Sequence, residues 1–468
     1  MPGWSRPRGL VFEEFKQARE EGKDPAALEA LRVEADDCGE DFLRNDALHA
    51  RMLALPVQAG FPYEEPDGLE GIRAALSGER FGVQPVAGDL ADRMQGAWLG
   101  RCIGCALGKP VESMGMRGID VDGLRPWRRL KAYLTAIDPA EWPIRGYIPA
   151  HSPAESDPRI GPVSCPDSTR ERIAFAETDD DLRYTVLGLI LLQEKGLGFT
   201  TRDVADNWIG RLPYRLVCTA ETQAYHNLVA RYEFHADAGF WGAEDPIDWA
   251  WVATHRNPYR EWIGAQIRVD PYGYAAPGDP GRAAEMAWRD ARLSHTKNGV
   301  YGAMFCAAMI AASFATSDPV EVVRAGLGEI PASSRLAEAI RRTMALVPAH
   351  GPEEFEALLD AVHGSFEGYS TVHTIPNAAL CAAAVLAGGG DFHRSVTLAV
   401  MGAWDTDCNG ATVGSIAGAM AGARSIPPLW SAPLHDTLRS GIPDYHPVAI
   451  SECARRMLAV IEADDARV

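Results

Sequence analysis

Two segments of this 468-residue chain carry a glycine at every fourth position, and this repeat restricts the fold more than any other feature. The glycines are Gly96, Gly100, Gly104 and Gly108 in the first segment and Gly410, Gly414, Gly418 and Gly422 in the second. Each glycine inside a helix costs about 1 kcal/mol relative to alanine, so the repeat needs a compensating contact. Residues four apart share one helix face, which glycine leaves bare for close packing. Because polar neighbours such as Arg101 and Asn409 argue against lipid, the repeat predicts two buried central helices that contact each other.

The rest of the chain is dominated by helical patterns, and strand signals are scarce. No alternation of strands with helices indicates a doubly wound sheet. The predicted fold class is therefore all-α, with long loop insertions. Outside the N-terminal region the predicted helices are 89–108, 179–195, 201–210, 282–293, 297–315, 319–327, 333–347, 352–362, 376–387, 391–404, 408–423 and 446–463.

We predict two parts along the chain. Residues 1–88 are an N-terminal extension or small subdomain, with weak helical patterns at 12–21 and 25–35. Residues 89–468 are the main helical domain, with insertions near 113–176 and 202–280. The first insertion is rich in proline and aromatic residues and is predicted to be an elaborate loop, and long loops in compact domains are usually functional.

Charge and composition exclude several classes of protein. The formal net charge of −19 argues against nucleic-acid binding, because an acidic chain repels a polyanion. No stretch reaches the roughly 18 to 20 apolar residues that a membrane helix needs, and no signal peptide is predicted. The nine cysteines are scattered, which is typical of reduced thiols, so a cytoplasmic location is expected.

Acidic residues stand at the ends of the predicted central helices. Glu112 follows the first glycine repeat, Thr178 to Asp181 (TDDD) open a helix, and Asp405 and Asp407 open the second glycine repeat. Any one of these groups alone is more often a helix cap than a ligand. Together they crowd like charges, and a hard divalent cation relieves that repulsion. Carboxylates and hydroxyls are the ligands that Mg²⁺, Mn²⁺ and Ca²⁺ prefer, and two ions about 3.5 to 4 Å apart can activate a water.

These acidic segments and the sequence around them resemble a known protein family. The sequence GRCIGCALGKPVE at 100–112, TDDD at 178–181 and DTDCNGATVGSIAGA at 405–419 resemble the ADP-ribosylglycohydrolase family, of the dinitrogenase-reductase-activating type. The segment GAQIRVDPYG at 264–273 is similar to the substrate loop of that family. The motifs stand in family order over residues 89–423, and their combination is far more specific than any one of them.

The resemblance implies a compact orthogonal helical fold with two Mg²⁺ or Mn²⁺ ions that hydrolyses the bond between a ribose anomeric carbon and an attached group. The metal ligands it implies are Thr178, Asp179, Asp180, Asp405 and Asp407. Glu112, or a metal-bound aspartate such as Asp180 or Asp407, would assist proton transfer. The expected substrate contacts are Gly264, Gln266, Asp270, Tyr272 and, as a further candidate before the helix at 297, His295.

Three positions depart from the family pattern. Asp181 and Cys408 stand where many members have threonine, and Ile263 stands where the substrate loop often begins with asparagine. A thiol is a poor ligand for Mg²⁺, so Cys408 is expected to pack while Asp181 or water supplies the missing oxygen. The chain is thus predicted to be a divergent member.

Three functions stay open at this point. The first is a two-metal hydrolase that cleaves an N-glycosidic bond to ADP-ribose or a related ribosyl group, with an ADP-ribosylated substrate. The second is a hydrolase of a small-molecule nucleoside or nucleotide, over which the insertions would close. The third is a non-catalytic scaffold of the same fold, which the Cys408 substitution permits but the retained acids disfavour.

Overall fold

A computed structural model describes residues 3–235, 240–243 and 247–466. The described residues form helices, two short antiparallel strand pairs and loops, which confirms the all-α fold class. The helices are α1 Pro7–Glu20, α2 Pro25–Asp36, α3 Phe42–Leu53, α4 Leu69–Ala74, α5 Leu90–Gly108, α6 Glu112–Gly115, α7 Ile119–Asp122, α8 Pro126–Thr135, α9 Asp180–Lys195, α10 Thr201–Arg211, α11 Thr219–Val229, α12 Trp249–Thr254, α13 Asp270–Ala275, α14 Pro280–Ala291, α15 Lys297–Ser313, α16 Pro319–Leu327, α17 Arg335–Leu346, α18 Phe355–Ser365, α19 Thr374–Gly388, α20 Phe392–Met401, α21 Thr406–Ala421, α22 Pro428–Ser431 and α23 Ile450–Asp465. The strands are β1 Tyr232–His235 paired with β2 Phe240–Ala243, and β3 Thr437–Leu438 paired with β4 Val448–Ala449. None of the described helices has both the length and the apolar character that a membrane crossing requires.

The two glycine-rich helices α5 and α21 pack against each other, as predicted, and their directions are antiparallel. Their facing glycine pairs are Gly96 with Gly418, Gly100 with Gly414 and Gly104 with Gly410. A methyl group added to any of these six glycines would overlap the backbone carbonyl of its partner. Gly108 faces the backbone of Thr406, whose hydroxyl donates a 2.8 Å hydrogen bond to the Gly108 carbonyl. The bare ridges therefore allow contact between the two backbones themselves.

The helices around this pair complete one buried core. α15 and α20 pack on α21, α23 packs on α5, and α19 packs on α20. Residues 298–313 of α15 are buried without exception. The small side chains of α15 and α19 let neighbouring helices approach closely at the high packing density of a protein interior.

Most predicted helices of the main domain are confirmed to within a few residues, and α16 agrees at both ends. The prediction of a loop over 113–176 is wrong for α8, which buries Trp127, Leu130 and Leu134. Pro126 occupies the first position of α8, where its missing N–H and fixed φ favour a helix start. The prolines of this segment therefore mark a helix boundary as well as turns.

The N-terminal extension contains three packed helices with a small core of their own. Val11 and Phe15 of α1 pack with Leu28 of α2 and with Leu48 and Met52 of α3. α1, α3 and the loop that follows them contact the main domain.

Buried ion pairs join the extension to the main domain. Arg260 binds Glu14 at 2.7 Å and Glu21 at 2.8 Å, and all three side chains are buried. Gln17 donates a 2.7 Å hydrogen bond to the carboxylate of Glu261. Buried charges are costly unless they are paired, so this network holds α1 in one place on the main domain.

A second set of pairs extends the network. Arg335 binds Glu65 of the extension at 2.8 Å and Glu261 at 2.7 Å. The ring of His373 lies 3.3 Å from the carboxylate of Glu20 at the end of α1. The backbone N–H of Ile375 donates to His373 Nδ1, so a neutral ring carries its proton on Nε2, the atom that faces Glu20.

The glycine contact predicts a large cost for one methyl group. Gly104→Ala should lower the free energy of unfolding by about 3 kcal/mol or more, because the methyl meets a carbonyl that belongs to the backbone of α21. Gly210→Ala is the matched control: it lies in α10 with open space around it and should stabilise by up to about 1 kcal/mol. Denaturant unfolding of both variants measures the difference, and equal effects would contradict the backbone contact.

The buried network predicts that Arg260→Met destabilises the protein by about 3 to 5 kcal/mol, because Glu14 and Glu21 lose their buried cation. Arg51→Met is the control, since the pair of Arg51 with Glu34 is about half exposed and such pairs contribute at most about 1 kcal/mol. Denaturant unfolding measures both variants. Similar losses in the two would show that the extension is not held by this network.

Candidate active site

The antiparallel contact of α5 and α21 brings two acidic stations together. Gly108, at the end of α5, lies against Thr406, at the start of α21. Glu112 follows one helical turn beyond Gly108, and Asp405 and Asp407 flank Thr406. Carboxylate oxygens of Glu112, Asp405 and Asp407 all lie within 4.8 Å of one another.

The third station comes from the start of α9. The carboxylates of Asp181 and Asp407 and the thiol of Cys408 have atoms within 4.8 Å of one another. Asp179 caps α9 by accepting a 3.1 Å hydrogen bond from the Asp181 backbone, and atoms of Asp179, Asp181 and Cys105 also lie within 4.8 Å of one another. The three stations that the sequence identifies therefore converge on one carboxylate cluster, defined here as Glu112, Asp179, Asp180, Asp181, Asp405 and Asp407.

Two cations partly balance this cluster. Lys109 lies 2.8 Å from a carboxylate oxygen of Asp179 and also donates to the backbone carbonyl of Thr178. Arg101 lies 3.2 Å from Asp181 and 2.9 Å from Asp270, and all three of these side chains are fully buried. Burial raises the pKa of Asp179, but Lys109, together with hydrogen bonds from Asp180 and from the Asp181 backbone, holds that pKa well below its usual range.

The other carboxyl groups of the cluster have raised pKa values. Asp407 first, and burial second, raise the pKa of Glu112 to about 10. Burial, with a contribution from Asp179, raises the pKa of Asp407 to about 6. Burial is also the largest cause of the raised pKa values of Asp180, Asp181 and Asp405. The polypeptide alone therefore does not compensate the negative charge that it gathers here.

The donor set fits a hard divalent cation. One buried oxygen of each of Asp181, Asp405 and Asp407 accepts no hydrogen bond from any residue that the structure describes. Buried polar atoms normally have a partner, and carboxylate oxygens are the ligands of Mg²⁺ and Mn²⁺. Cys408 packs in an apolar cluster with Ile263 and Ile267, which agrees with a packing role for its thiol.

Thr178 lies at the edge of the cluster and is half-buried. Its hydroxyl donates a 3.1 Å hydrogen bond to the backbone carbonyl of Ser440 and accepts one of 3.2 Å from Arg183. In this structure the hydroxyl thus holds the loop before β4 to the start of α9, and its role as a metal ligand stays a prediction.

One of the predicted substrate contacts, Asp270, is linked to the cluster. Asp270 binds Arg101 and accepts a hydrogen bond from Ser415. Gly264 lies where a methyl group would collide with the carboxylate of Glu221, and Gln266 is fully buried with its carbonyl oxygen unpartnered among the described residues. The structure therefore brings Asp270 to the cluster through Arg101, while a substrate role for these residues stays a prediction.

Tyr272 and His295 lie in a separate buried polar group. The hydroxyl of Tyr272 donates a 2.7 Å hydrogen bond to Asp290, which is also bound by Arg268. His295 lies 2.8 Å from the hydroxyl of Ser294, and burial holds the pKa of its ring well below the usual range. These contacts support the loop that contains Gly264 and Gln266, and they do not bring either side chain into the carboxylate cluster.

Sequence reasoning did not identify several polar residues that shape the site. Arg101 and Lys109 bind acids of the cluster, and the side-chain oxygen of Asn377 accepts hydrogen bonds from the Asp405 backbone at 3.4 Å and from Asn409 at 2.8 Å. The available signal was the position of two cations within an apolar glycine helix, where a buried charge requires an acidic partner.

A cleft of about 370 Å³ lies next in the chain to the cluster through Trp404 and Met116, although none of the six carboxylates lines it. Its base includes Trp404, which precedes Asp405, and Met116, whose backbone N–H donates a 2.8 Å hydrogen bond to the Glu112 carbonyl. A volume of several hundred Å³ is the usual size of a small-molecule site. The other residues that line it are Glu13, Lys16, Gln17, Glu20, Gly118, Ile119, Asp120, Arg125, Pro126, Pro258, Trp262, His363, Phe366, Glu367, Gly368, Tyr369, Ser370 and Thr371.

The backbone between the cleft and the cluster is strained. Ala403 and Trp404 have φ angles of 61° and 58°, a region that bulky residues rarely adopt. The indole of Trp404 is stacked on the ring of His363, with ring centres 4.2 Å apart. Such strain persists when the surroundings hold a residue firmly in place, and it is concentrated at functional sites.

An all-α fold that gathers six carboxylates at helix ends beside a small-molecule cleft defines a class of helical proteins with a carboxylate centre. The family model described as ADP-ribosylglycohydrolase matches residues 87–465, and the chain therefore belongs to the ADP-ribosylglycohydrolase family. Membership indicates a glycoside hydrolase for ADP-ribose-like substrates. The match leaves out nearly the whole N-terminal extension.

A solved structure of an ADP-ribosylglycohydrolase-related protein complex is similar to this chain, with 20% sequence identity and a TM-score of 0.45. The match covers 80% of this chain and 98% of the other. Among proteins of curated function, none matches the chain in sequence.

The charge balance of the cluster predicts opposite effects for two neutralising substitutions in chelator-treated protein at pH 8. Asp407→Asn should raise the midpoint of thermal unfolding by about 2 °C, because it removes one repelling carboxylate. Asp179→Asn should lower that midpoint by a similar amount, because Lys109 loses its buried partner. A lower midpoint in both variants would show that the carboxylates do not destabilise one another, and a higher midpoint in both would show that Lys109 does not stabilise Asp179.

Proposed function

We propose that this protein is a two-metal hydrolase that cleaves an N-glycosidic bond to ADP-ribose or a related ribosyl group. The observation that carries the proposal is the buried carboxylate cluster, with its unpartnered oxygens and too few cations. A scaffold has no use for such a destabilising arrangement. A dinitrogenase-reductase-activating type of activity is one form of the proposal that the motifs favour.

Different residues of the cluster would bind the metal ions and orient the ligands. Asp179, Asp180, Asp405 and Asp407, with Thr178, would hold two Mg²⁺ or Mn²⁺ ions. When bound, such ions supply positive charge that orients ribose hydroxyls and makes water a better nucleophile. Lys109 and Arg101 lie behind the acids and fix the orientation of Asp179 and Asp181.

Glu112 is placed for proton transfer. It is half-buried, lies within 4.8 Å of Asp405 and Asp407, and belongs to the short helix that ends just before Met116, a residue that lines the cleft. A carboxyl group at this position can receive a proton from the attacking water or give one to the leaving nitrogen, while Asp180 or Asp407 assists.

The cleft favours a free small molecule as substrate. Its volume of about 370 Å³ matches a nucleoside-sized ligand, and helix α1 of the extension forms one of its walls. An ADP-ribosylated protein needs room for a second polypeptide at the same entrance, which α1 partly occupies. A small-molecule nucleoside or nucleotide is therefore the substrate class that the geometry supports best.

Metal and ligand binding test the proposal directly. Mg²⁺ or Mn²⁺ should raise the thermal midpoint of chelator-treated protein, and ADP-ribose or a free riboside should raise it further, because ligands that bind the folded state stabilise it by mass action. Asp407→Asn should lose the metal-dependent shift and reduce hydrolysis at least about 100-fold. Asp37→Asn, an exposed carboxylate on the extension, is the control and should behave as the parent protein does. The absence of any shift with Mg²⁺, Mn²⁺ or Ca²⁺ would favour the non-catalytic scaffold.

A further inference from the structure

Helix α1 forms the outer wall of the cleft although it lies outside the part of the chain that matches the family. Glu13, Lys16, Gln17 and Glu20 line the cleft, and their spacing places all four on one face of α1. The buried network of Arg260 and Glu261 fixes this helix, so the wall is rigid rather than a loosely attached tail.

Within the proposed substrate class, the charges of the cleft favour a nucleoside over a nucleotide, because they disfavour a phosphate. The described residues that line the cleft include one lysine, Lys16, and one arginine, Arg125. Both are already paired with acids. Lys16 lies 3.0 Å from Glu13, and Arg125 lies 3.2 Å from Glu367 and 3.1 Å from Asp360. The lining histidine is His363, whose pKa burial lowers to about 4, so its ring is neutral.

Two further carboxylates on opposite walls add to the negative potential. Glu20 belongs to α1, and its carboxylate lies 3.3 Å from the ring of His373. Asp120 belongs to the short helix α7. With Glu13 and Glu367, the cleft holds four carboxylates against two committed cations. A positively charged group is attracted by this excess, whereas an anion is repelled.

The remaining lining favours a flat ring. Trp262, Phe366, Tyr369 and Trp404 contribute aromatic side chains to the cleft. A cation near an aromatic face is attracted by the ring quadrupole, and a flat cation can also stack. Aromatic walls together with surplus carboxylates are therefore suited to a planar organic cation.

We propose that α1 makes the enzyme selective for a free N-riboside whose attached group is a positively charged aromatic heterocycle. The inference rests on the proposed function, since it assigns the substrate class of the same site. The ribosyl group would lie toward the carboxylate cluster and the cationic ring between α1 and the loop at 366–371. Glu13 and Glu20 would be specificity-determining residues contributed by the extension.

The reaction balances without any co-reactant. Water adds its oxygen to the anomeric carbon as the carbon–nitrogen bond breaks, and the bonding electron pair returns to the ring nitrogen. That pair neutralises the positive charge of the heterocycle, and the second proton of the water leaves to solvent. The products are free ribose, a neutral heterocycle and one proton.

A matched pair of ligands tests the selectivity. Nicotinamide riboside is a cation, and its reduced dihydro form is neutral and nearly the same in shape. Binding is measured by thermal shift with Mg²⁺ on the full chain carrying Glu112→Gln, which keeps the ligand from being consumed. The cation should reach half-saturation at an about tenfold lower concentration than the neutral form.

Substitutions on α1 should change this preference in opposite directions. Glu20→Gln should reduce the binding ratio of cation to neutral ligand several-fold. Asp120→Asn, in α7, should reduce the same ratio, and it leaves the contact of Glu20 with His373 intact. Lys16→Gln should increase the ratio, because it removes a positive charge and releases Glu13. Glu29→Gln on α2 removes an exposed carboxylate outside the cleft and should leave the ratio unchanged.

Equal binding of the two ligands, or a ratio that none of the cleft substitutions alters, would overturn the selectivity inference. Either result leaves the proposed hydrolase intact, because that proposal is judged by the metal-dependent shift and its loss in Asp407→Asn. Conversely, a cation preference that responds to Glu20 and Lys16 supports the inference, and release of nicotinamide by the parent enzyme supports both.

Discussion

The backbone contact of α5 with α21 is the interaction on which the rest of the structure depends. Side chains normally separate two helices by several ångströms, but glycines on both faces let carbonyls of one helix approach the backbone of the other. This contact also fixes the axial register, since Gly108 lies against Thr406. Glu112 and Asp405, which come just after α5 and just before α21, then have to lie near each other. The carboxylate cluster is thus a direct consequence of how two central helices pack, and it is as rigid as that packing.

The treatment of buried charge separates the cluster from the rest of the protein. At the extension, Arg260 is placed between Glu14 and Glu21, so a buried cation meets the acids around it. At the cluster, Lys109 and Arg101 are the cations in direct contact, and they leave most of the six carboxylates without an opposite charge. Because burial of an unpaired charge is unfavourable, the excess has to be met by protons or by cations from solution. Stability alone does not explain such an arrangement, whereas a site that binds metal and substrate does.

The sequence predicted those features that depend on local patterns. A glycine repeat of period four was enough to predict the contact between α5 and α21. Acids at helix ends were enough to predict the cluster, because that contact brings the end of α5 next to the start of α21. The wall formed by α1 was not predictable, since the pairing of Glu14 with Arg260 joins residues far apart in the chain and each looks like an ordinary surface charge in sequence. The helix α8 was missed because proline at its first turn resembles a loop signal. Long-range contacts of charged residues were harder to predict from the sequence than secondary structure was.

The cleft is where the two parts of the chain meet, and one short segment shows how they act together. Glu261 is fully buried, accepts a hydrogen bond from Gln17 of the extension and forms an ion pair with Arg335 of the main domain. The next residue, Trp262, places its ring in the wall of the cleft. Any change that loosens the extension therefore moves an aromatic wall of the cleft as well as α1 itself, while the glycine contact beneath the carboxylates stays in place. The carboxylate cluster and the cleft wall formed by α1 consequently belong to separate parts of one chain, so under the proposed function selectivity could change through α1 without disturbing the cluster.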